Sequence, residues 1–312
     1  MAPRPNPRPV VFTIDNHYIK PLAVALAGLK RYGTARRKIY LFYEHLHPIY
    51  RWTLKRWLQT SNLELVCHKL CTSHKIDQLP HHFTTAILLR LMVSKWIKES
   101  EYIYLDADVI ILSGLESMDR FHLGDILLAA SPRPLGRTHL PGKNLSEMRQ
   151  KFSGRPYFAT GLLLINRCRF EAEKVGERCL RILAKGGFDY PDQDALNLVC
   201  QELSWISLPQ GVSVEVDDRP RAENQFCTAA QRVGVSAPCV VLQLAGSEKP
   251  WHFFNRHPLR KEFADVLRTT PLAWLPYGIS DIRWRSLGSR GRRWLMRRIL
   301  AGFAGGEDDN RS

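Results

Sequence analysis

The sequence predicts an α/β domain built on a parallel, doubly wound sheet. Strand-like and helix-like segments alternate from residue 10 to about residue 130, and this alternation is typical of βαβ units. The chain has 312 residues, enough for one large α/β domain with an appendage. Hydrophobic residues make up 45% and charged residues 24%, a globular balance that excludes wholesale disorder.

Each predicted element is defined by its hydrophobic pattern. Short apolar runs rich in β-branched or aromatic residues predict strands at Val10–Ile14, Lys38–Tyr43, Leu63–Cys67, Tyr102–Leu112, Ile126–Ala130, Gly161–Asn166 and Val240–Leu244. Apolar residues at helical spacing predict helices at Tyr18–Tyr32, Pro48–Gln59, Thr84–Lys98, Glu171–Lys185 and Asp192–Glu202. Residues 131–157, rich in Pro, Gly, Arg and Lys, are expected to form a long functional loop.

The charge balance indicates an anionic partner. Lys and Arg number 45 against 30 Asp and Glu, a formal net charge of +15. Seven Arg and no acid lie between Arg283 and Arg298, and Leu295, Ile299 and Phe303 recur at helical spacing among them. This pattern predicts an amphipathic C-terminal tail that binds an anionic membrane surface. A solvated basic helix or an Arg-rich nucleic-acid contact is the alternative, and no specific nucleic acid is expected.

Cysteines and termini indicate a cytoplasmic protein. The seven cysteines include no C-x-x-C pair, so free thiols are expected rather than a disulfide framework or a structural zinc site. Residues 1–9 form a Pro/Arg-rich arm, expected to be extended, that does not resemble a signal peptide. No apolar run approaches the roughly 18 residues of a membrane span. We expect a soluble protein that lies peripherally on the inner face of the cell membrane.

Asp106 and Asp108 interrupt the apolar run Tyr102–Leu112. Residues at i and i+2 face the same side of a strand, and burying two neighbouring carboxylates requires a positive counter-charge. Hard oxygen ligands favour Mg²⁺ or Mn²⁺, and such an ion could neutralise the diphosphate of a nucleotide donor. In the alternative, the strand ends at Asp106 and both acids are solvated in a turn or cap the next segment.

Several segments, in order, resemble the retaining glycosyltransferases of family 8, the glycogenin-like family, and most closely the bacterial lipopolysaccharide glucosyl- and galactosyltransferases. The resemblance covers residues 10 to about 252, and the order and spacing of the segments make it specific. The matching segments are Val11–Tyr18, Leu88–Leu91, Tyr104–Val109, Phe158–Asn166, Tyr190–Asn197 and Gly246–His252.

The resemblance implies a fold, a reaction and a set of partners. The fold would be the open Rossmann-like, glycosyltransferase A-type fold over residues 10–256, with residues 257–312 as the basic membrane-associating region. The reaction would be retaining, metal-dependent transfer of galactose or glucose from a UDP-sugar. The metal would be Mn²⁺, with Mg²⁺ as the alternative. The acceptor would be a saccharide, expected to be lipid-linked lipopolysaccharide core.

The resemblance also implies site residues. Asp192 and Gln193 would be catalytic, and Asp106, Asp108 and Gln243 would bind the metal. The donor would contact Thr13, Asp15, His17, Tyr18, Arg90, Asp106, Ala107, Asp108, Ala159, Thr160, Gly246 and Lys249. Ordinary structural roles are the alternatives: a turn after a strand for Asp15 and Tyr18, a surface position for Arg90 or Lys249, and a helix cap for Asp192.

Three positions depart from the family pattern. Gln243 stands where relatives carry a metal-binding His, Ala159 where they carry Asn, and His17 where Asn is usual. Thr160 could partly replace the contact missing at Ala159. The departures leave open a catalytically impaired UDP-sugar-binding protein. For the reaction itself, front-face attack stabilised by the Gln193 carbonyl is favoured over double displacement, because a neutral amide is a poor nucleophile.

Overall fold

The structure is a computed structural model that describes residues 6–70, 86–133, 157–185, 188, 190–216, 240–246, 248–252 and 255–275. The Arg-rich segment after residue 282 and most of the predicted loop 131–157 lie outside the described residues. The elements below are numbered in chain order.

Ten strands are described: β1 Val10–Ile14, β2 Arg37–Tyr43, β3 Leu63–Lys69, β4 Glu101–Leu105, β5 Val109–Ile111, β6 Leu128–Arg133, β7 Tyr157–Asn166, β8 Trp205–Ser207, β9 Ser213–Val216 and β10 Val241–Leu244. The α-helices of the described part are α1 Ile19–Tyr32, α2 Pro48–Leu58, α3 Ala86–Met92, α4 Glu116–Asp119, α5 Arg167–Ala172, α6 Val175–Leu183, α7 Pro191–Val199 and α8 Arg260–Arg268. Short 3-10 turns occupy Asn16–Tyr18 and Val93–Trp96.

The predicted α/β class and parallel sheet are confirmed. Seven strands form the main sheet in the order β3-β2-β1-β4-β7-β6-β8, and β7 alone runs antiparallel to its neighbours in it. A smaller sheet has the order β5-β10-β9. One hydrophobic core lies between the main sheet and α1 and α2, and a second lies on the other face against α3, α6 and α7.

The predicted single strand Tyr102–Leu112 is wrong, because it is two strands in different sheets. β4 ends at Leu105, and the amide of Asp106 still donates to Gly161 O at 2.9 Å in the main sheet. Two residues later, Asp108 O accepts from Leu244 N at 2.9 Å in the small sheet. The chain therefore changes sheets between the two acids, and they do not lie on one face of one strand.

Two predicted helices are shorter or divided. The helix predicted to end at Lys98 leaves α-helical geometry after Met92 and tightens into a 3-10 turn in which Ser94 is buried. The helix predicted at Glu171–Lys185 is instead α5 and α6, separated at Lys174, whose φ is +51°. The break lets Gly176 approach the backbone carbonyl of Leu91 so closely that a Cβ would collide with it.

Two ends of the domain are fixed by contacts that the sequence pattern did not predict. At the amino end, Arg8 Nε donates to Glu101 Oε2 at 2.6 Å, and Arg8 Nη1 donates to Met118 O at 2.6 Å. After residue 256, α8 packs on α1 and buries Phe263 and Leu267 in the first core. The domain boundary at residue 256 stays a prediction.

The cysteines that the structure describes, Cys67, Cys168, Cys179 and Cys200, are free thiols. Within the described residues, no helix is both long enough and apolar enough to cross a bilayer.

Candidate active site

The candidate site lies where β1 and β4 end, beside the middle of β7. Its centre is the buried guanidinium of Arg90 on α3. Arg90 Nη2 lies 2.5 Å from Asp106 Oδ1, and Nη1 lies 2.8 Å from Asp192 Oδ2. Arg90 Nη1 also donates to Thr160 Oγ1 at 3.1 Å, and its guanidinium carbon stands 4.8 Å from the ring centre of Tyr104. One cation thus joins α3, β4, β7 and α7.

Burial and the neighbouring opposite charges shift the pKa values of Asp106 and Arg90 in opposite directions. Burial raises the pKa of Asp106 to about 6, although Arg90 opposes the shift, and the nearby charges of Asp108 and Asp192 add to it. Burial alone would lower the pKa of Arg90, but Asp106 and Asp192 raise it, so the guanidinium stays charged.

Asp108 has a separate cationic partner. Lys249 Nζ lies 2.8 Å from Asp108 Oδ2 and also donates to Leu244 O. The ammonium stands 5.8 Å from the ring centre of Trp251. Gly246 reverses the chain between Leu244 and Lys249 with φ +84°, a conformation that favours glycine.

Gln243 projects from β10 towards Asp106. Its Nε2 donates to Asp106 Oδ2 at 3.3 Å, while its Oε1 is buried without a hydrogen-bond partner. The amide fills the space where a Cβ at Gly161 would lie, so Gly161 lets the two strands approach. The structure therefore places the Gln243 side chain beside Asp106, and its role as a metal ligand stays a prediction.

The residues present fit a divalent metal by their chemistry. Asp106 and Asp108 supply carboxylate oxygens, and the partnerless Oε1 of Gln243 supplies an amide oxygen, all of which are hard ligands. No group of three His, Cys, Asp or Glu side chains within the described part of the chain could hold a metal. A metal ion bound between Asp106 and Asp108 would therefore have the amide oxygen of Gln243 as its third side-chain ligand in this part of the chain.

Gln193 on α7 is held at both ends of its amide. Its Oε1 accepts from Thr160 N at 3.2 Å, and its Nε2 donates to the hydroxyl of Tyr157 at 2.9 Å. Tyr157 in turn donates to Asp194 Oδ1 at 2.5 Å, and Asp194 Oδ2 accepts from Tyr190 N at 3.2 Å. These bonds fix which end of the Gln193 amide is the carbonyl.

The loop after β1 forms the other wall. Asp15 caps the following 3-10 turn by accepting from His17 N at 2.8 Å, and His17 itself is exposed. Tyr18 is half-buried against Trp251, with ring centres 5.7 Å apart in an edge-on arrangement. Burial raises the pKa of Tyr18, and the charges of Asp108, Asp106 and Asp15 raise it further. Thr13 Oγ1 lies 2.9 Å from Tyr104 OH.

The structure thus gathers most of the predicted residues, and their roles stay predictions. Ala107 and Ala159 are buried and contribute no polar side-chain atom, while His17 points to solvent at the edge. The sequence reasoning gave no role to Tyr104, Tyr157 or Asp194. Tyr104 is two residues before Asp106, a spacing that the sequence shows, whereas Tyr157 follows a stretch of sequence without hydrophobic periodicity.

Comparison with known proteins agrees with this geometry. The model of the family described as Glycosyl transferase family 8 matches residues 9–254. The chain belongs to glycosyl transferase family 8. Glycosyltransferase GlyE of Streptococcus pneumoniae serotype 4 (strain ATCC BAA-334 / TIGR4) is 24% identical over 89% of this chain. Lipopolysaccharide glucosyltransferase WaaO of Escherichia coli (strain K12) is 23% identical over 65% of it. The chain spans 62% of GlyE and 60% of WaaO.

A solved structure shows the same fold. The galactosyltransferase LgtC, in complex with donor and acceptor sugar analogues, superposes with a TM-score of 0.65 at 19% identity, covering 84% of this chain and 96% of LgtC. This likeness confirms the predicted glycosyltransferase A-type fold.

Proposed function

We propose that this family 8 glycosyltransferase moves galactose or glucose from a UDP-sugar to a saccharide acceptor with retention of configuration. The observation that supports this best is the buried cluster around Arg90, which joins Asp106 to Asp192 beside Gln193. Such a cluster places fixed positive charge next to the residue expected to lie under the sugar.

The diphosphate end of the donor would meet the acid pair. Asp106, Asp108 and Gln243 would hold Mn²⁺, or Mg²⁺ as the alternative, and a bound divalent ion would stabilise the negative charge of the departing UDP. Lys249 would add a point charge for phosphate. The Arg90 Nε–H is buried without a partner in the described part of the chain, and a donor oxygen that entered the site would satisfy it.

The sugar end would meet α7 and β7. Asp192 would accept hydrogen bonds from sugar hydroxyls while it stays paired with Arg90. The Gln193 carbonyl accepts from Thr160 N at 3.2 Å and, in a longer bond of 3.4 Å, from Thr160 Oγ1. The longer bond would give way to the positive charge that develops at the anomeric carbon. We favour front-face attack, in which the leaving phosphate oxygen takes the acceptor proton, because Gln193 is too weak a nucleophile for double displacement.

The uracil would lie against the loop after β1. Asp15 would accept from the uracil edge and Tyr18 would stack on its ring. The raised pKa of Tyr18 keeps its phenol neutral at physiological pH, so it adds no negative charge near the diphosphate. For the acceptor we propose a lipid-linked lipopolysaccharide core on the inner leaflet, because lipopolysaccharide glucosyltransferase WaaO is among the relatives.

The test is UDP release from UDP-galactose, UDP-glucose and UDP-N-acetylglucosamine, each with Mn²⁺, Mg²⁺ or chelator. We expect metal-dependent release from one of the hexose donors, reduced at least ~100-fold in Asp106→Asn and Asp108→Asn. Asp265→Asn is the matched control, because Asp265 lies on the exposed face of α8 and pairs only with nearby Arg268 among the described residues. Turnover at the wild-type rate in the two site variants would refute the metal assignment.

A second candidate is a protein that binds UDP-sugars without turning them over. The pairing of Lys249 with Asp108 and the amide at position 243 favour it, because both weaken the acid pair as a metal site. Calorimetric titration of UDP with and without Mn²⁺ separates the candidates. Binding that Mn²⁺ tightens, combined with no release from any donor, supports the second candidate against the first.

A further inference from the structure

Helix α2 carries exposed apolar side chains on one side. Its inner face buries Leu54 and Leu58 in the first core. On the outer face, 44% of the surface of Ile49 and 58% of that of Trp52 are exposed. Both residues lie in the first two turns, three positions apart, so they share one stripe of the helix. Large exposed apolar side chains that form a stripe mark a binding surface more often than single ones do.

The same stripe is basic. Lys55 and Arg56 continue it and are exposed, and the guanidinium of Arg56 stands 5.5 Å from the ring centre of Trp52. With Arg51, α2 carries three basic residues and no acid. At the end of α1, Lys30 Nζ donates to Trp57 O at 3.3 Å and adds another positive charge beside the helix.

The stripe begins beside the candidate active site. His47, the residue before α2, donates its amide to Asn16 Oδ1 at 3.0 Å. Asn16 opens the 3-10 turn that ends at Tyr18, the residue expected to meet the nucleotide base. Ile49 and Trp52 therefore lie at the end of α2 nearest the site, and the basic residues Lys55 and Arg56 lie further away.

We propose that this stripe, Ile49, Trp52, Lys55 and Arg56, docks the protein on an anionic phospholipid bilayer. Ile49 and Trp52 would enter the headgroup region, where tryptophan is favoured, while Lys55 and Arg56 contact lipid phosphates. Docking here would turn the edge of the site towards the membrane surface.

Charge complementarity selects this occupant. A second copy of the chain would bring two basic stripes together, and each chain carries +15. A nucleic acid would satisfy Lys55 and Arg56 but leave Ile49 without an apolar partner. An anionic bilayer offers an apolar layer for Ile49 and Trp52 and phosphate groups for Lys55 and Arg56. The proposal goes beyond the glycosyl transfer proposed above and concerns a different segment from the Arg-rich sequence after residue 282.

The experiment is co-sedimentation of the full chain with vesicles, without donor or metal. One set contains phosphatidylcholine alone, and the other a mixture with phosphatidylglycerol. We expect wild type to bind the mixed vesicles, and Ile49→Ser/Trp52→Ser to reduce partitioning ~10-fold or more. Lys55→Glu/Arg56→Glu is expected to weaken the preference for anionic lipid. All four positions are at the surface, so the thermal midpoints should match that of wild type.

Trp96→Ser is the matched control. Trp96 is also exposed, at 40%, but its ring lies 6.4 Å from that of Phe42, which belongs to the core on the opposite face of the sheet. Binding by Ile49→Ser/Trp52→Ser at the wild-type level would overturn the proposal. The proposal would also be overturned if wild type did not bind vesicles and formed a dimer in sedimentation velocity that the Ile49→Ser/Trp52→Ser variant did not form. The stripe would then serve self-association. Loss of binding in that variant alongside normal binding by Trp96→Ser supports the proposal.

Discussion

Removing the Tyr157 hydroxyl tests whether the orientation of the Gln193 amide matters for catalysis. Tyr157 is buried, and burial, followed by the charge of Asp194, raises its pKa, so the group remains an O–H donor. Tyr157→Phe deletes the bond to Asp194 and the bond from Gln193 Nε2. It removes one hydrogen bond to the buried Asp194 carboxylate, which costs about 1–3 kcal/mol of the free energy of unfolding.

The catalytic effect comes from Gln193. Without Tyr157 OH, the bonds between Thr160 and Gln193 Oε1 are the only ones among the described residues that favour the present amide orientation, and the amide can present its NH₂ group where the carbonyl is needed. We expect kcat for donor hydrolysis to fall about 10- to 100-fold, because misplaced groups near the reacting atoms lose rate on that scale. The Kd for UDP, measured by calorimetry, should change little, since the nucleotide is expected at the opposite wall.

Tyr102→Phe is the matched control. Tyr102 is a fully buried tyrosine on the neighbouring strand β4, and its hydroxyl has no hydrogen-bond partner in the part of the chain that the structure describes. Its removal should leave kcat unchanged and leave the free energy of unfolding equal or higher. If Tyr157→Phe destabilises the protein but turns over at the wild-type rate, the orientation of Gln193 is irrelevant to the reaction and the reasoning fails.

Two further predictions concern stability and pH. Arg37 holds Asp119 through bonds of 3.0 and 2.6 Å with both side chains buried, so Arg37→Met should cost about 3–5 kcal/mol in urea unfolding. Asp119→Leu in the Arg37→Met background should recover part of that loss, and a double variant worse than Arg37→Met alone would contradict the pairing. Because the pKa of Asp106 is raised to about 6, its carboxylate is charged above that pH and neutral below it. Calorimetric affinity for Mn²⁺ should therefore fall as pH drops from 7.5 to 5, by up to about tenfold per unit below 6, and Asp106→Asn should flatten this dependence.

The sequence predicted the elements with strong periodicity and missed those set by tertiary contacts. β1 and the buried α1 were predicted almost to the residue, because their apolar patterns reflect burial in a single environment. The segment around Asp106 and Asp108 looked like one strand because both halves are apolar, and the change of sheet depends on β10, more than a hundred residues away. Strands β8 and β9 have three and four residues, too short for a periodic signal.

In the candidate site, too, the sequence predicted what depends on local pattern and missed what depends on tertiary contacts. Local motifs located Asp106, Arg90 and Gln193, yet the distances that join them depend on side chains from four different elements. The contact between Tyr157 and Asp194 could not be inferred, because Tyr157 follows a segment with no pattern and a tyrosine in a strand is ordinarily a core residue. The close approach at Gly161 depends on Gln243, a residue of another sheet.

The electrostatics of the site link the proposed metal to the proposed phosphate contact. Among the residues that the structure describes, the cationic partners of Asp106, Asp108 and Asp192 are Arg90 and Lys249, and Arg90 is shared by two of the acids. Lys249 already donates to Asp108 and to Leu244 O, so a metal ion that took its place at Asp108 would free part of its charge for a donor phosphate. Metal and UDP would then each tighten the binding of the other by the same factor, because linkage between two ligands is reciprocal. The Lys249–Asp108 bond is, in this view, what makes the two sites interdependent.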